Sequence, residues 1–473
     1  MVQHQQKQKQ RRRIYLLSER ELSPEVIAVT FAKTSRSPRS FDEIASELSE
    51  EESSRFHERW VLGFGHGSIA EHAVLHIAIE NVSRLAAEVI ENNRLCSYTE
   101  RSSRYQEFTD YYIPAGLDSD LHRLYIETCD RLFATYRHCL AKLSSHDVCR
   151  FLLPAAALAN LGMTANARSL EWAITKLLSH PLSEVCEIGK EMKEVALKEV
   201  PTLIRHAEPN RYLINKEEAI RAWSRSQGYS PGESQSPGPG LHKCKCESVL
   251  LVSYDKEAEE RFIAASLYRH PNSNLRLTFP QLLEWARHLP SEEKGKLIRT
   301  ILSPLEPHDR PPRELEQVYY TFDCLVDQGA YRDLARHRML TLIAQPLTVE
   351  YGYAIPRGIV EAGFLEDYRE AIDLATSAYR KVAERHPYEA AYLVTNAHNR
   401  RFLMTLNLRE LYHLVALRSR KEGHFSYRRI ALKIFELARE KHPLLLEHLP
   451  FREPPESSAL LEEEYFAELA HPA

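Results

Sequence analysis

From Ala73 to Glu80 (AVLHIAIE) apolar and polar residues alternate, with Leu75, Ile77 and Ile79 on one side, the pattern of a half-buried strand. Asn81 to Asn93 reads as a helix, followed by a polar loop and then Tyr111-Tyr112-Ile113-Pro114. The same order returns much later. Val318 to Cys324 (VYYTFDC) alternates, a helical stretch runs to Arg338, and a loop leads to Tyr353-Ala354-Ile355-Pro356. Asn166-Ala167-Arg168 opens an amphipathic segment in the first half, and Asn407-Leu408-Arg409 opens one in the second. Each half closes on a strong helix. The apolar stripe of one is Val185, Ile188, Met192 and Val195; that of the other is Ile430, Ile434 and Leu437.

The spacing of counterparts is nearly constant: 245 residues from Glu71 to Glu316, 242 from Ile113 to Ile355 and 241 from Asn166 to Asn407. Small drifts at loops with a fixed order of elements indicate an internal duplication. A stretch rich in Pro, Gly and Ser, Gln227 to Gly240, divides the 473 residues nearly in half and has too little apolar content to build a core. The expected organisation is a basic tail over 1–13, a first copy over 14–226, a linker over 227–246, a second copy over 247–455 and an acidic segment over 456–473.

An apolar fraction of 43% and a charged fraction of 27% describe an ordinary globular protein. No apolar run approaches the roughly 20 residues that cross a bilayer, so no membrane role is expected. Met1 to Arg13 is polar and basic, unlike a secretory signal, and reads as a solvated tail, with a weak polyanion contact as its rival. The net charge of −4 gives no general argument for nucleic-acid binding. Of 8 cysteines only Cys244 and Cys246 lie close together, without the second pair that a zinc site needs. A reduced, cytoplasmic protein is expected, with Cys96 and Cys149 as packing residues and His180, His308, His398 and His424 at the surface.

The run from His66 to Tyr105, HGSIAEHAVLHIAIENVSRLAAEVIENNRLCSYTERSSRY, resembles the centre of the flavin-dependent thymidylate synthases. That family places a His and a Glu-His before a strand, then a helix ending in R-H-R, then S-Y-N-E-x-S-x-R-Y. Arg150 to Leu170 (RFLLPAAALANLGMTANARSL) is similar to its second segment, which carries R-x-x-L-P and N-A-R-S-L. The second half matches less densely, through ELEQVYYTFD, Arg336-His337-Arg338, Asn407-Leu408-Arg409 and Arg418. The resemblance implies an α/β (α+β) fold present as two tandem copies, each a mixed sheet with packed helices.

It also implies a chemistry. The family's enzymes bind FAD and deoxyuridine monophosphate (dUMP), and move a one-carbon unit from methylenetetrahydrofolate to carbon 5 of the pyrimidine. Reduced flavin supplies the hydride, and a nicotinamide cofactor, NADPH, reduces the flavin. No protein nucleophile is required, so the demands are positioning and charge.

Carried over residue by residue, the resemblance gives two incomplete halves. The first has Asn92-Asn93-Arg94 in place of R-H-R and Val89 where the family has a substrate-binding Gln, and Lys176 or Leu177 stands where the second segment carries an Arg. It keeps the phosphate-side loop, Glu100, Ser102, Ser103 and Arg104, together with Arg150. The second half keeps Arg336-His337-Arg338 and Arg418. Its loop reads Ala344-Gln345-Pro346-Leu347-Thr348, Ala391 and Thr395 replace the Arg and Pro of R-x-x-L-P, and Asp333 takes the Gln position, where it would repel a nearby phosphate.

The losses are complementary, so one composite site is expected for two copies. The substrate side would be Glu100, Ser102, Ser103, Arg104, Arg150, Arg336 and Arg418; the flavin side would be His66, Ser68, Glu71, His337, Arg338, Asn407, Arg409 and His413. Asn166 and Arg168 match equally well but would serve the degraded site. Since the family works as a tetramer, a homodimer of four pseudo-subunits is implied. The leading function is flavin-dependent methylation, or a related carbon-5 modification, of a pyrimidine nucleotide. A non-catalytic relative that binds nucleotide or flavin is the alternative.

Overall fold

A computed structural model describes residues 21–34, 37, 39–63, 67–226, 247–269, 277–451 and 456–472. The basic tail, the 227–246 linker, Cys244, Cys246 and His66 lie outside the described residues. Packing divides the chain into two compact units that cut across the two sequence halves. One comprises Met1–Ile79, Leu95–Thr99 and Leu161–Gly228; the other comprises Glu80–Arg94, Glu100–Asn160 and Tyr229–Ala473.

The first unit carries most of a three-stranded sheet built from β1 (Val74–Ser83), β2 (Cys96–Glu100) and β3 (Leu158–Asn166), in the order β1-β3-β2. Asn166 ends β3 and caps the helix Ala167–Leu178, its side chain accepting from the Ser169 N–H at 2.9 Å. The stripe on the following helix, Ser183–Ala196, buries Val185, Ile188 and Met192, but Val195 faces solvent. Glu25 is buried, and its carboxylate accepts the N–H groups of Thr202 and Leu203 at the start of the helix Pro201–Ile204.

In the second unit an antiparallel sheet runs β4-β5-β8-β6, from β4 (Val249–Tyr254), β5 (Tyr319–Asp327), β6 (Thr341–Ala344) and β8 (Asn399–Asn407). β5 pairs with β8 along its whole length, Tyr319 opposite Asn407 and Asp327 opposite Asn399. β7 (Tyr353–Pro356) pairs with β9 (Phe466–His471), a strand inside the segment read from sequence only as acidic. Gly352 has φ +69°, and a Cβ there would collide with the His471 carbonyl, so a glycine is what admits β9 at this edge.

The helix expected from Asn81 begins instead at Arg84 and ends at Glu91. Asn81 sits in the left-handed region (φ 56°) as β1 ends, and Ser83 caps the helix by accepting from the Ala86 N–H. Its counterpart runs over Gln328–Leu334, where Asp327 accepts from the Ala330 N–H at 2.9 Å.

Within this unit the middle of the first copy meets the second copy around a local two-fold axis. Pro154 and Thr395 form an isolated antiparallel bridge. On either side the hydrogen bonds are reciprocal: Ala155 N–H to Val394 O and Asn396 N–H to Leu153 O, then Ala156 N–H to Tyr392 O and Ala397 N–H to Phe151 O. Each pair maps onto the other by a shift of 241 residues. The equivalent helices Ser119–Leu143 and Leu365–Arg385 pack together, and one apolar core mixes Leu132, Phe133, Tyr136 and Phe151 with Tyr353, Ile355, Tyr368 and Ile372. This core explains two misread histidines. His398 and His424 are fully buried rather than at the surface, and burial holds His398 neutral, its pKa lowered to about 3, while His424 lies well below the ordinary value.

Candidate functional site

Across the local axis the two short helices, Arg84–Glu91 and Gln328–Leu334, exchange charged groups. Arg332 Nη1 donates to the Arg84 carbonyl at 2.5 Å, and Arg332 Nη2 lies 2.8 Å from Glu100 and 3.3 Å from Glu91. Glu88 takes Arg400 at 2.5 Å and the Gln328 amide at 2.6 Å. Burial raises Glu91, with Arg332 offsetting only part of that, whereas burial of Glu88 is overcome by Arg400 and Arg332, which hold it ionised. Arg84 is buried, and its Nε and Nη1 have no hydrogen-bond partner among the described residues; desolvation pulls its pKa down to about 10. None of Arg84, Glu88, Glu91, Arg332 and Arg400 is singled out by motif. Arg84, Glu88 and Glu91 lie at i, i+4 and i+7 of one helix, a charged stripe that marks them, whereas nothing local marks Arg332 on the second helix or Arg400 on β8.

Beside this cluster stands the Asp333 carboxylate. Arg150 Nη2 is 3.5 Å from one of its oxygens and Arg336 Nη1 is 3.8 Å from the other. Arg418 and Arg104 also act on it. Burial alone would raise Asp333, but Arg150, Arg336, Arg418 and Arg104 together hold it below the usual carboxylate range. Arg150 and Arg336, one from each half, thus flank one carboxylate, and Arg104 and Arg418 add to the positive field it feels. Gly329 keeps the space open: a Cβ there would sit 3.2 Å from Arg150 Nη2.

Each arginine is further anchored. Arg104 makes a two-pronged bond to Asp147, at 2.8 and 2.9 Å, and donates to the Glu422 carbonyl at 3.1 Å. Burial opposes its charge, but the Asp147 bonds more than restore it. The Asp147 carbonyl in turn accepts from His424 Nε2 at 2.9 Å, because His424 Nδ1 is taken by the Ser426 N–H. Arg336 Nη2 is 3.4 Å from Glu100. Ser103 is buried and Ser102 Oγ accepts from the Arg104 N–H, so the loop shapes itself around Arg104.

The flavin-side expectations divide between the units. Ser68 and Glu71 belong to the first unit, where Ser68 is exposed and Glu71 pairs with Arg168 at 2.5 Å. His337, Arg338, Asn407, Arg409 and His413 belong to the second unit. Arg409 pairs with Glu316 at 2.7 Å, so the Glu71–Arg168 pair recurs in the second copy. Asn407 caps its helix, Leu408–Arg418, by accepting from the Glu410 N–H, as Asn166 does for its own helix. His337 is buried with both ring nitrogens engaged, Nδ1 donating to Glu410 at 2.7 Å and Nε2 accepting from Arg418 Nε at 3.0 Å. That pattern fits the neutral ring, which burial favours despite the Glu410 bond. Arg338 and His413 are exposed, the His413 ring centroid 5.4 Å from that of His337.

The counterpart segments of the opposite combination bond to backbone within the chain. Asn93 Nδ2 returns to the Ile90 carbonyl, Arg400 Nε donates to the Gln345 carbonyl and Tyr379 to the Leu347 carbonyl.

Comparison with known proteins fits this geometry. The model of the thymidylate synthase complementing protein family matches residues 16–202 and again residues 250–444. A "UPF0159 protein" of Chlamydia muridarum is 32% identical over 444 residues, covering 86% of this chain and 82% of its own. Another, from Thermoplasma acidophilum, is 27% identical and covers 86% and 90%. The flavin-dependent thymidylate synthase of Saccharolobus solfataricus is 28% identical over 208 residues, 41% of this chain and 78% of its own length. Among the described residues no helix is long and apolar enough to cross a membrane. With its domain matched twice along the chain, this protein belongs to the thymidylate synthase complementing protein family as a tandem two-copy member.

Proposed function

We propose that the chain is a flavoenzyme that modifies carbon 5 of a pyrimidine nucleotide, with dUMP, methylenetetrahydrofolate and NADPH as the reactants the resemblance implies. The observation that carries this reading is that Arg150 of the first copy and Arg336 of the second are held on opposite oxygens of one carboxylate, Asp333, with Arg104 and Arg418 adding to the positive field there. Guanidinium groups in that arrangement suit a phosphate, which they bind through charge-assisted paired bonds.

FAD fits the donor set on the second unit. Arg338 and Arg336 are exposed cations just past the Gln328–Leu334 helix, and the exposed His413 ring packs against that of His337 between them in sequence. Flavin, when bound, supplies the hydride. Arg338 and Arg409 would hold its anionic portion, Asn407 fixes the start of the helix bearing Arg409 and His413, and His337 positions Arg418 rather than touching a ligand. Glu100 sets Arg336, and Asp147 sets Arg104.

On this reading each chain has one working site for two copies, and two chains associate as a homodimer of four pseudo-subunits. The test is direct. Purified protein should show a flavin absorbance band that NADPH bleaches and that returns with dUMP plus methylenetetrahydrofolate. A colourless protein with no affinity for FAD would replace this reading with that of a non-catalytic nucleotide-binding relative.

A further inference from the structure

The local two-fold axis lets each contact between the two short helices be compared with its mirror. Arg84 and Gln328 are equivalent: the N–H groups of Arg84 and Leu85 donate to the Ala157 and Ala155 carbonyls, as those of Gln328 and Gly329 donate to His398 and Asn396. One turn on, Glu88 is the counterpart of Arg332, and on the paired strands Ala159 is the counterpart of Arg400. One of the two mirror groups is closed. The Gln328 amide and Arg400 both donate to Glu88, and Arg400 Nη1 lies 3.4 Å from the Gln328 side-chain oxygen. The other group consists of Arg84, Arg332 and Ala159. An amide facing a carboxylate has become a guanidinium facing a guanidinium, and the third member brings only a methyl group.

Arg332 finds carboxylates in Glu100 and Glu91. Arg84 finds none among the described residues. It is 6% exposed, its Nε and Nη1 have no acceptor there, and its guanidinium lies 5.7 Å from the Phe108 ring. Arg332 Nε is a further buried donor without an acceptor among the described residues. A buried cation without a counter-charge is strongly destabilising, and buried donors of this kind call for an ordered water or an ion. Water answers a donor but not a charge; an anion answers both. We propose that Arg84 and Arg332 hold a small monovalent inorganic anion of the chloride class, with Arg84 Nε and Nη1 and Arg332 Nε as its donors. The ion supplies the negative charge that Glu88 supplies in the mirror group. It ties the first copy to the second where Arg332 already grips the Arg84 carbonyl. The burial of both arginines suits a single-atom ion better than a phosphate ester.

This site is separate from the nucleotide site and does not depend on the nucleotide reading. Its test uses the full chain without nucleotide, exchanged into sodium gluconate and titrated with sodium chloride at constant ionic strength. The melting temperature of the wild type should rise and saturate, by at least about 2 °C. Arg84→Met removes the buried charge together with the ion's main donors. It should melt in gluconate no lower than the wild type does there, and it should not respond to chloride. A wild type indifferent to chloride overturns the proposal, whether or not the variant folds. An equal chloride response in Arg84→Met also overturns it, because the ion would then bind elsewhere. So does a variant that melts well below the wild type in gluconate, which would show that Arg84 is bonded within the protein and needs no ion.

Discussion

Arg332 donates to the backbone carbonyl of Arg84, so a guanidinium of the second copy ends on the helix of the first. The same group reaches Glu100, whose side chain is 2% exposed, and Glu91. Truncating a buried cation leaves its carboxylates without compensation. Arg332→Ala should therefore cost about 3–5 kcal/mol of stability, read as a lower urea midpoint, and adding Glu100→Gln should recover part of that loss. A loss below about 1 kcal/mol, the worth of an exposed pair, would show that water enters this cluster.

Arg150 and Arg336 come from different copies and are held on opposite oxygens of Asp333. If they serve one ligand, Arg150→Ala and Arg336→Ala should each weaken nucleotide binding by about 10- to 100-fold, the worth of a charged hydrogen bond. The wild-type titration should saturate near one ligand per chain. Two equal sites per chain would end the composite-site reading.

Asp333 also carries a pH signature. Its folded pKa lies below its unfolded one, so its contribution to stability is complete above the ordinary carboxylate value of about 4 and disappears as pH falls through the lower folded value. Urea midpoints measured from pH 6 down to pH 3 should fall more steeply for the wild type than for Asp333→Asn. Parallel curves would mean that Asp333 is not ionised in the fold.

Arg409 offers a separation of stability from binding. Its pair with Glu316 is about one-third exposed and should be worth less than about 1 kcal/mol. Arg409→Ala should keep its melting temperature within a few degrees, yet purify with markedly less flavin. Full flavin retention would assign Arg409 to structure alone, the same task that Arg168 performs with Glu71.

Much of this arrangement is legible in the sequence because the duplication repeats local rules. Asn166 and Asn407 announce helix caps, and the alternation at Leu75 to Ile79 and at Val318 to Cys324 announces strands, each a matter of a few neighbouring residues. The motif positions Arg104, Arg150 and Arg336 are readable for the same reason. Their partners are not. Asp147 is 43 residues from Arg104 and Asp333 is 183 from Arg150, so only the tertiary path joins them. His398 and His424 look like surface residues because nothing local says that the other half of the chain covers them. β9 is hidden by its acidic neighbours, and Gly352, over a hundred residues upstream, is what makes room for it.

The Pro154–Thr395 axis has a consequence for how such a site can change over time. In an assembly of identical subunits, every substitution appears on both sides of the symmetry element at once, so a gain in one location is tied to the same alteration in its mirror location. Here the two sides are written separately in one gene. A carboxylate can be added at 333 while valine stays at 89, and one location can be retired while the other is refined.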